Sequence, residues 1–232
     1  MSKKKWIAVV MLCVSLAVII ALPAFASNNA QIKIPRDFFV KFAKTIKYYN
    51  GNNDSKVAFK IGNIQVPVSE VEKKKELLEQ AGNGNVTYDE VVKSIARNKI
   101  LLEEAKKRGI EITFEQAKKR SLQEKDEIYK NADKDQIAAV EEYIKALGIS
   151  SDEYWNDYNA KEYQIYMTVN ALYEDIIKEA EQGGKIEKFP SKTGETKEIQ
   201  KKFVEDYIEN FLNNTKIEVV DSDLKGKLKE IK

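Results

Sequence analysis

A serine or threonine followed three residues on by a glutamate or glutamine heads most of the helical-period stretches of this chain: Ser69/Glu72, Thr87/Glu90, Thr113/Gln116 and Ser150/Glu153. In such a pair the hydroxyl accepts the N3 amide while the N3 side chain reaches back to the cap amide, so each pair marks a helix start. Gly109 and Gly148 stand where stretches end, as suits a left-handed residue at a helix terminus. The punctuation predicts helices from Ser69 to about Gln80, from Thr87 to Gly109 and from Thr113 to about Lys130. A fourth runs from Asp133 or Asp135 to Gly148, and the longest runs from Ser150 to about Gln182. A polar connector, Gly183 to Gly194 with Pro190, precedes a further helix marked by Phe203, Tyr207, Ile208, Phe211 and Leu212. Four prolines, ten glycines and 33% charged residues fit a mostly α fold.

Two short β-prone runs interrupt this pattern near the start. Val57 to Ile61 and Ile64 to Pro67 flank Gly62-Asn63, a dipeptide suited to a tight hairpin turn with positive φ. Lys216 to Val220 reads as a lone strand, and a lone strand must pair with an available edge. The early hairpin offers one, so the two ends of a domain spanning residues 57–220 are expected to meet in a small sheet. The charged tail, residues 221–232, is expected to fray.

Two apolar faces carry candidate binding residues. On the longest helix, Tyr154, Tyr158, Ile165, Val169, Leu172 and Ile176 form a core-type stripe, widened by Trp155, Tyr163, Tyr166, Tyr173 and Ile177. Such a face exceeds what one neighbouring helix covers, which marks Tyr154, Trp155, Tyr158, Tyr163, Tyr166 and Tyr173 as a candidate surface for apolar polypeptide. In a lead segment, residues 27–56, Phe38, Phe42, Ile46 and Tyr49 share one helical face, with Arg36, Lys41, Lys44 and Lys47 elsewhere. That helix either lies on an anionic membrane surface or packs onto the domain that follows, the second being the commoner use of such a stripe.

The first 26 residues read as an export signal: Lys3, Lys4 and Lys5, an apolar run from Trp6 to Leu22, and a small-x-small site at Ala24 to Ala26. An uncleaved anchor is the alternative, since the apolar run approaches the length that spans a bilayer. The expected location is secreted or in the cell envelope. Cleavage would remove Cys13, the one cysteine, and the chain holds no histidine. Imidazole bases, thiolate nucleophiles and Cys/His zinc sites are then excluded. With 39 basic and 37 acidic groups in all, nothing suggests nucleic-acid binding, and no Walker-type loop suggests a nucleotide. Lys192-Thr193-Gly194 lacks the Ser-Asp-Asn partner of penicillin-binding enzymes. Asn131, Asp133, Asp135 and Glu142 have calcium-loop spacing, but Gln136 replaces the required glycine, and helix capping accounts for the aspartates. Basic clusters such as Lys106 to Arg108 alternate with glutamates and read as solvated faces with i, i+4 pairing. No cofactor, metal or catalytic residue is expected.

The order of these elements resembles a known family. The run from Phe59 through Gly62-Asn63 to Ser69-Glu70-Val71 resembles the opening hairpin and first helix of SurA-type N-terminal chaperone domains, shared with PrsA-type foldases and more distantly with trigger factor. Ile100-Leu101-Leu102-Glu103-Glu104-Ala105-Lys106-Lys107-Arg108-Gly109-Ile110-Glu111-Ile112-Thr113 is similar to that family's second signature. Gly148 to Tyr154 resembles its loop before the long helix, and Phe203 to Val220 its returning helix and strand. The chain departs from the family in its Gly-Asn turn order and in having the connector, residues 183–194, where isomerase members carry a parvulin domain. The resemblance implies an ATP-independent chaperone for unfolded exported polypeptides, without prolyl isomerase activity. A non-catalytic envelope scaffold with one specific partner and a divergent, histidine-free prolyl isomerase are the alternatives.

Overall fold

The structure, a computed structural model, describes residues 36–52, 54–82, 84–187 and 194–231. The expected signal, residues 1–26, lies outside the described residues, as do residues 188–193 of the connector. The fold is mostly helical with one small sheet: α1 (Arg36–Gly51), β1 (Val57–Ile61), β2 (Ile64–Pro67), α2 (Val68–Gln80), α3 (Tyr88–Lys107), α4 (Phe114–Asn131), α5 (Lys134–Leu147), α6 (Ser151–Glu153), a π-helical turn (Tyr154–Tyr158), α7 (Asn159–Gln182), α8 (Gly194–Asn213), β3 (Ile217–Val219) and α9 (Ser222–Lys227).

The sheet joins the two ends of the domain. Its order is β2-β1-β3, antiparallel throughout, with Phe59 opposite both Val66 and Val219. Gly62 turns the hairpin at φ +57 and Asn63 keeps a negative φ, so the left-handed step falls on the residue without a Cβ. The lone terminal strand therefore pairs where its orphan backbone groups demanded. Its pairing is reinforced where the Ala58 carbonyl accepts both Val220 N–H (2.9 Å) and Asp221 N–H (3.0 Å).

Capping boxes open α3 (Thr87 with Glu90), α4 (Thr113 with Gln116), α5 (Asp133 with Gln136) and α6 (Ser150 with Glu153). Asp133, rather than Asp135, is the α5 cap, and its carboxylate is spent on Gln136 N–H at 2.9 Å. Gly109, at φ +70, closes α3 while Ile110 N–H reaches back to the Ala105 carbonyl. The expected Ser69/Glu72 box is corrected. The helix begins one residue earlier, at Val68, with Pro67 as an N-cap that makes no side-chain bond. Proline's fixed φ and the adjacent strand set the turn, and the Glu72 carboxylate instead accepts the Tyr88 hydroxyl at 3.0 Å.

Three hydrophobic cores hold these elements. The first gathers Phe42 and Ile46 of α1 with Val140 and Tyr143 of α5, Ile128 of α4, and Tyr154 and Trp155 of the π turn. The lead helix is thus a structural part of the molecule, and its apolar face is covered by protein. The second core lies between the sheet, α2 and α3, around Phe59, Val66, Val71, Val91 and Val92, with Leu224 of α9 beneath it. The third joins Leu101 and Ala105 of α3, Leu172 and Ile176 of α7, and Val204 and Ile208 of α8.

Arg108 ties the helices of the third core together. Its guanidinium donates to Glu104 (2.8 Å), Asp175 and Glu179 (2.9 Å each) and the Tyr207 hydroxyl (2.8 Å), linking α3 to α7 and α8. The i, i+4 pair is present, but this member of the basic run is an interhelical hub as well.

The tail does not fray. Asp221 caps α9 by accepting Leu224 N–H (2.7 Å) and pairs with Lys56. Beyond α9, the buried Asp89 carboxylate accepts the amides of Lys229 (2.9 Å), Glu230 (2.9 Å) and Ile231 (3.0 Å). Charge composition suggested solvation; a carboxylate at the head of α3, waiting for amide donors, fastens the segment instead.

Candidate functional site

Between the first and second cores the helices do not close on one another. A cavity of about 390 Å³ opens between α1, α2, α3 and α7, bounded by Ile46 and Tyr49 of α1, Leu77 of α2, Ile95 and Leu102 of α3, Tyr158 of the π turn and Ile165 of α7. Its volume falls within the range of small-ligand pockets, and most of its wall is apolar with a few charged groups set among it.

The π turn decides which aromatic rings reach this space. A π-helical turn holds more residues than an α turn, so it shifts the register of the faces before and after it. Both Tyr154, 2% exposed, and Trp155, 0% exposed, are turned into the first core, with their rings 4.8 Å apart edge to face. As parts of a client-accessible surface these two residues are corrected: both are sealed in the first core by Tyr143, Ile128 and the rings of α1, Tyr154 in keeping with its place on the core-type stripe. The Ser121 hydroxyl donates to the Trp155 carbonyl at 2.6 Å, and Asn159 Nδ2 donates to Ser121 Oγ at 3.0 Å and to Glu124 at 3.1 Å. That buried network fastens the turn to α4.

The remaining expected residues separate into groups. Tyr158, Tyr49 and Ile46 line the cavity, while Phe38 and Phe42 pack in the first core, their rings stacked at 5.8 Å. Tyr163 is half-buried beside α4. Its hydroxyl hydrogen-bonds Glu124, the Arg120 guanidinium lies 5.4 Å from its ring, and Tyr166 meets it edge-on at 6.2 Å. Tyr173 is half-buried against the third core. Every residue from Glu162 to Ala171 is intermediate in exposure, so the middle of α7 is incompletely covered around its whole circumference.

Burial shapes the acid–base character of the site. Desolvation pushes the Tyr158 phenol well above its ordinary range, helped by Glu162, and lifts Tyr49, helped by Glu76 and Glu72. Burial also raises Glu124, against the stabilising hydrogen bonds from Asn159 and Tyr163. Lys74 shows the converse effect. It is 6% exposed and lines the cavity, and desolvation lowers its ammonium to about 8 despite the opposing pull of Glu70. Glu70 is itself 3.0 Å from Lys99 across the cavity wall. Sequence reasoning missed Lys74, although its spacing from Val71, Leu77 and Leu78 puts it on the buried face of α2; the run of three lysines read as a solvated face.

Among the described residues, no group of His, Cys, Asp or Glu is clustered as a metal site, and no helix is long and apolar enough to cross a membrane. The site is a recess in which apolar side chains stand among Glu70, Lys73, Lys74, Lys99 and Glu162. No protein-family model, curated protein or solved structure matches the chain.

Proposed function

We propose that this chain is an exported, ATP-independent chaperone that holds apolar segments of unfolded polypeptides in the recess between α1, α2, α3 and α7. The observation that carries the reading is the recess itself: an open cavity with Leu77 of the first core and Ile95 of the second on its walls, beside Leu102 and Ile165. Burying a few apolar side chains there yields modest, sequence-tolerant affinity, which suits release without an energy source. The incompletely covered middle of α7, with Tyr163 and Tyr166, extends the contact area beyond the cavity. The order of hairpin, helices and returning strand supports the resemblance to SurA-type N-terminal domains, in which the same role is implied.

The test is aggregation of two unrelated, thermally unfolded enzymes with the exported form of the protein at equimolar ratio. Slowed aggregation of both is expected, and Leu102→Glu, which sets a charge on the half-buried cavity wall, reduces the effect severalfold while far-UV circular dichroism stays unchanged. No protection of either enzyme refutes the reading. A single tight partner recovered from the envelope, with no such protection, selects a docking scaffold.

A further inference from the structure

The face of α1 turned away from the first core is basic. Phe39, Phe42, Ala43 and Ile46 are sealed inside, which leaves Asp37, Lys41, Lys44, Lys47 and Tyr48 to solvent. Helical spacing sets Lys41, Lys44 and Tyr48 on one stripe headed by Asp37. Lys47 runs along its edge, where its side chain lies over Gly148 at the end of α5. Exposed lysines elsewhere are drawn to carboxylates: Lys56 to Asp221, Lys93 to Glu230 and Lys161 to Asp157. Among the described residues, Lys41, Lys44 and Lys47 have no such partner. Beside them Tyr48 is 62% exposed, its ring edge-on to Tyr49 at 5.1 Å.

This excess of charge is local. From Ser27 to Asn52 the chain holds five basic residues, Lys33, Arg36, Lys41, Lys44 and Lys47, against Asp37 alone, whereas the whole chain is nearly balanced at 39 to 37. Basic residues close to a membrane-inserting segment are attracted to anionic lipid, by about fivefold in affinity for each residue at the surface. Thirteen residues separate Leu22, the end of the apolar run, from Arg36. At full extension α1 thus starts within about 50 Å of that run. On the export reading, lipid headgroups are then the first anionic surface that this face meets. Because the apolar face of α1 is covered by protein, the helix meets them by charge and not by insertion.

We infer that α1 docks on an anionic lipid surface by its solvent face, with Lys41, Lys44 and Lys47 against the headgroups and the Tyr48 ring at headgroup depth. Packing and membrane contact, the two uses that the sequence offered for this helix, are then made by opposite faces. The inference is independent of the chaperone reading, since Ile46 and Tyr49 border the recess from other sides of the helix.

Flotation with vesicles tests it, using the exported form, residues 27–232, which keeps every described residue. In about 0.05 M salt the protein is expected to float with vesicles of phosphatidylglycerol and phosphatidylcholine, and to be released in about 0.5 M salt, where screening acts within a few Å. It is not expected to float with phosphatidylcholine alone. Lys41→Gln, Lys44→Gln and Lys47→Gln together are expected to weaken binding about a hundredfold while far-UV circular dichroism stays unchanged. Lys197→Gln, Lys201→Gln and Lys202→Gln, which remove the same charge from exposed positions on α8, are expected to weaken it about twofold at most. No flotation with the anionic vesicles overturns the inference, and so does equal flotation with phosphatidylcholine alone. Equal losses in the two triple variants would mean attraction by the surface at large and also overturn it. Polyglutamate binding the protein more tightly than the vesicles, compared at equal charge concentration, reassigns the face to an acidic polypeptide and overturns it too. None of these outcomes touches the chaperone reading, which the aggregation assay decides.

Discussion

Asp89 concentrates several roles in one carboxylate. It sits in the first turn of α3, where the aligned peptide dipoles favour negative charge, and it is 4% exposed. Desolvation pushes its pKa upward, but the three amides of Lys229, Glu230 and Ile231 outweigh that and hold it below the usual carboxylate range. A lowered pKa in the folded state means stability that is present above the unfolded value of about 3.9 and is lost as pH falls through the folded value. Asp89→Asn is expected to cost about 1–2 kcal/mol near neutrality and progressively less below about pH 4, with the amides of residues 229–231 losing hydrogen-exchange protection. A pH-independent cost would show that shape, not charge, fastens the tail. Arg108 is comparable in reach, and in both residues a formal charge in a run of charges turned out to be a fastening between distant elements. The pattern of charges along the chain records which residues are ionised; it holds no information about which of them face another helix.

At the scale of elements, the caps separate genuine helix starts from look-alikes. Thr113 and Gln116 satisfy each other's backbone donors, with Thr113 N–H bonding Gln116 at 2.8 Å. Ser69 occupies the second position of its helix and makes no cap. Thr113→Ala is therefore expected to cost about 1 kcal/mol, a fall of about 2–4 °C in melting temperature, whereas Ser69→Ala is expected to be nearly neutral. Thermal denaturation of the two variants beside the parent measures the difference; equal losses would contradict the cap assignment. The π turn teaches the opposite lesson. Helix start and end were legible at Ser150 and Gln182, yet the inserted register step between them was not, because Tyr154 to Tyr158 read as ordinary helix formers. The network of Ser121, Glu124 and Asn159 that accompanies the step is assembled from two helices far apart in sequence.

The molecule as a whole is closed by its C-terminal segment. The second core rests on β3 and α9 through Val219 and Leu224, whereas the first core is built entirely from residues between Phe38 and Tyr158. A chain ending at Asn214 is thus expected to expose the sheet core while α1, α4 and α5 stay packed. Amides of residues 57–66 should lose exchange protection, those of residues 137–147 should keep it, and a hydrophobic dye should bind. Simultaneous loss in both segments would mean that the cores unfold as one cooperative unit.

Most helix boundaries, the hairpin and the need for the last strand to find an edge were written in local chemistry: cap hydroxyls, glycines at left-handed positions and unpaired backbone groups act over a few residues and read directly from their order, the start of α2 and the terminal α9 being the exceptions. The outcome for the aromatic face was not written there. Tyr154 and Trp155 share their periodic stripes with Tyr158 and Tyr163, and which rings are sealed and which border open space depends on the register step and on four helices arriving from distant parts of the chain. The same convergence buries Lys74 and leaves Lys73 at the rim. Burial is a property of what packs against a residue, and for this recess those neighbours come together only when the chain is folded.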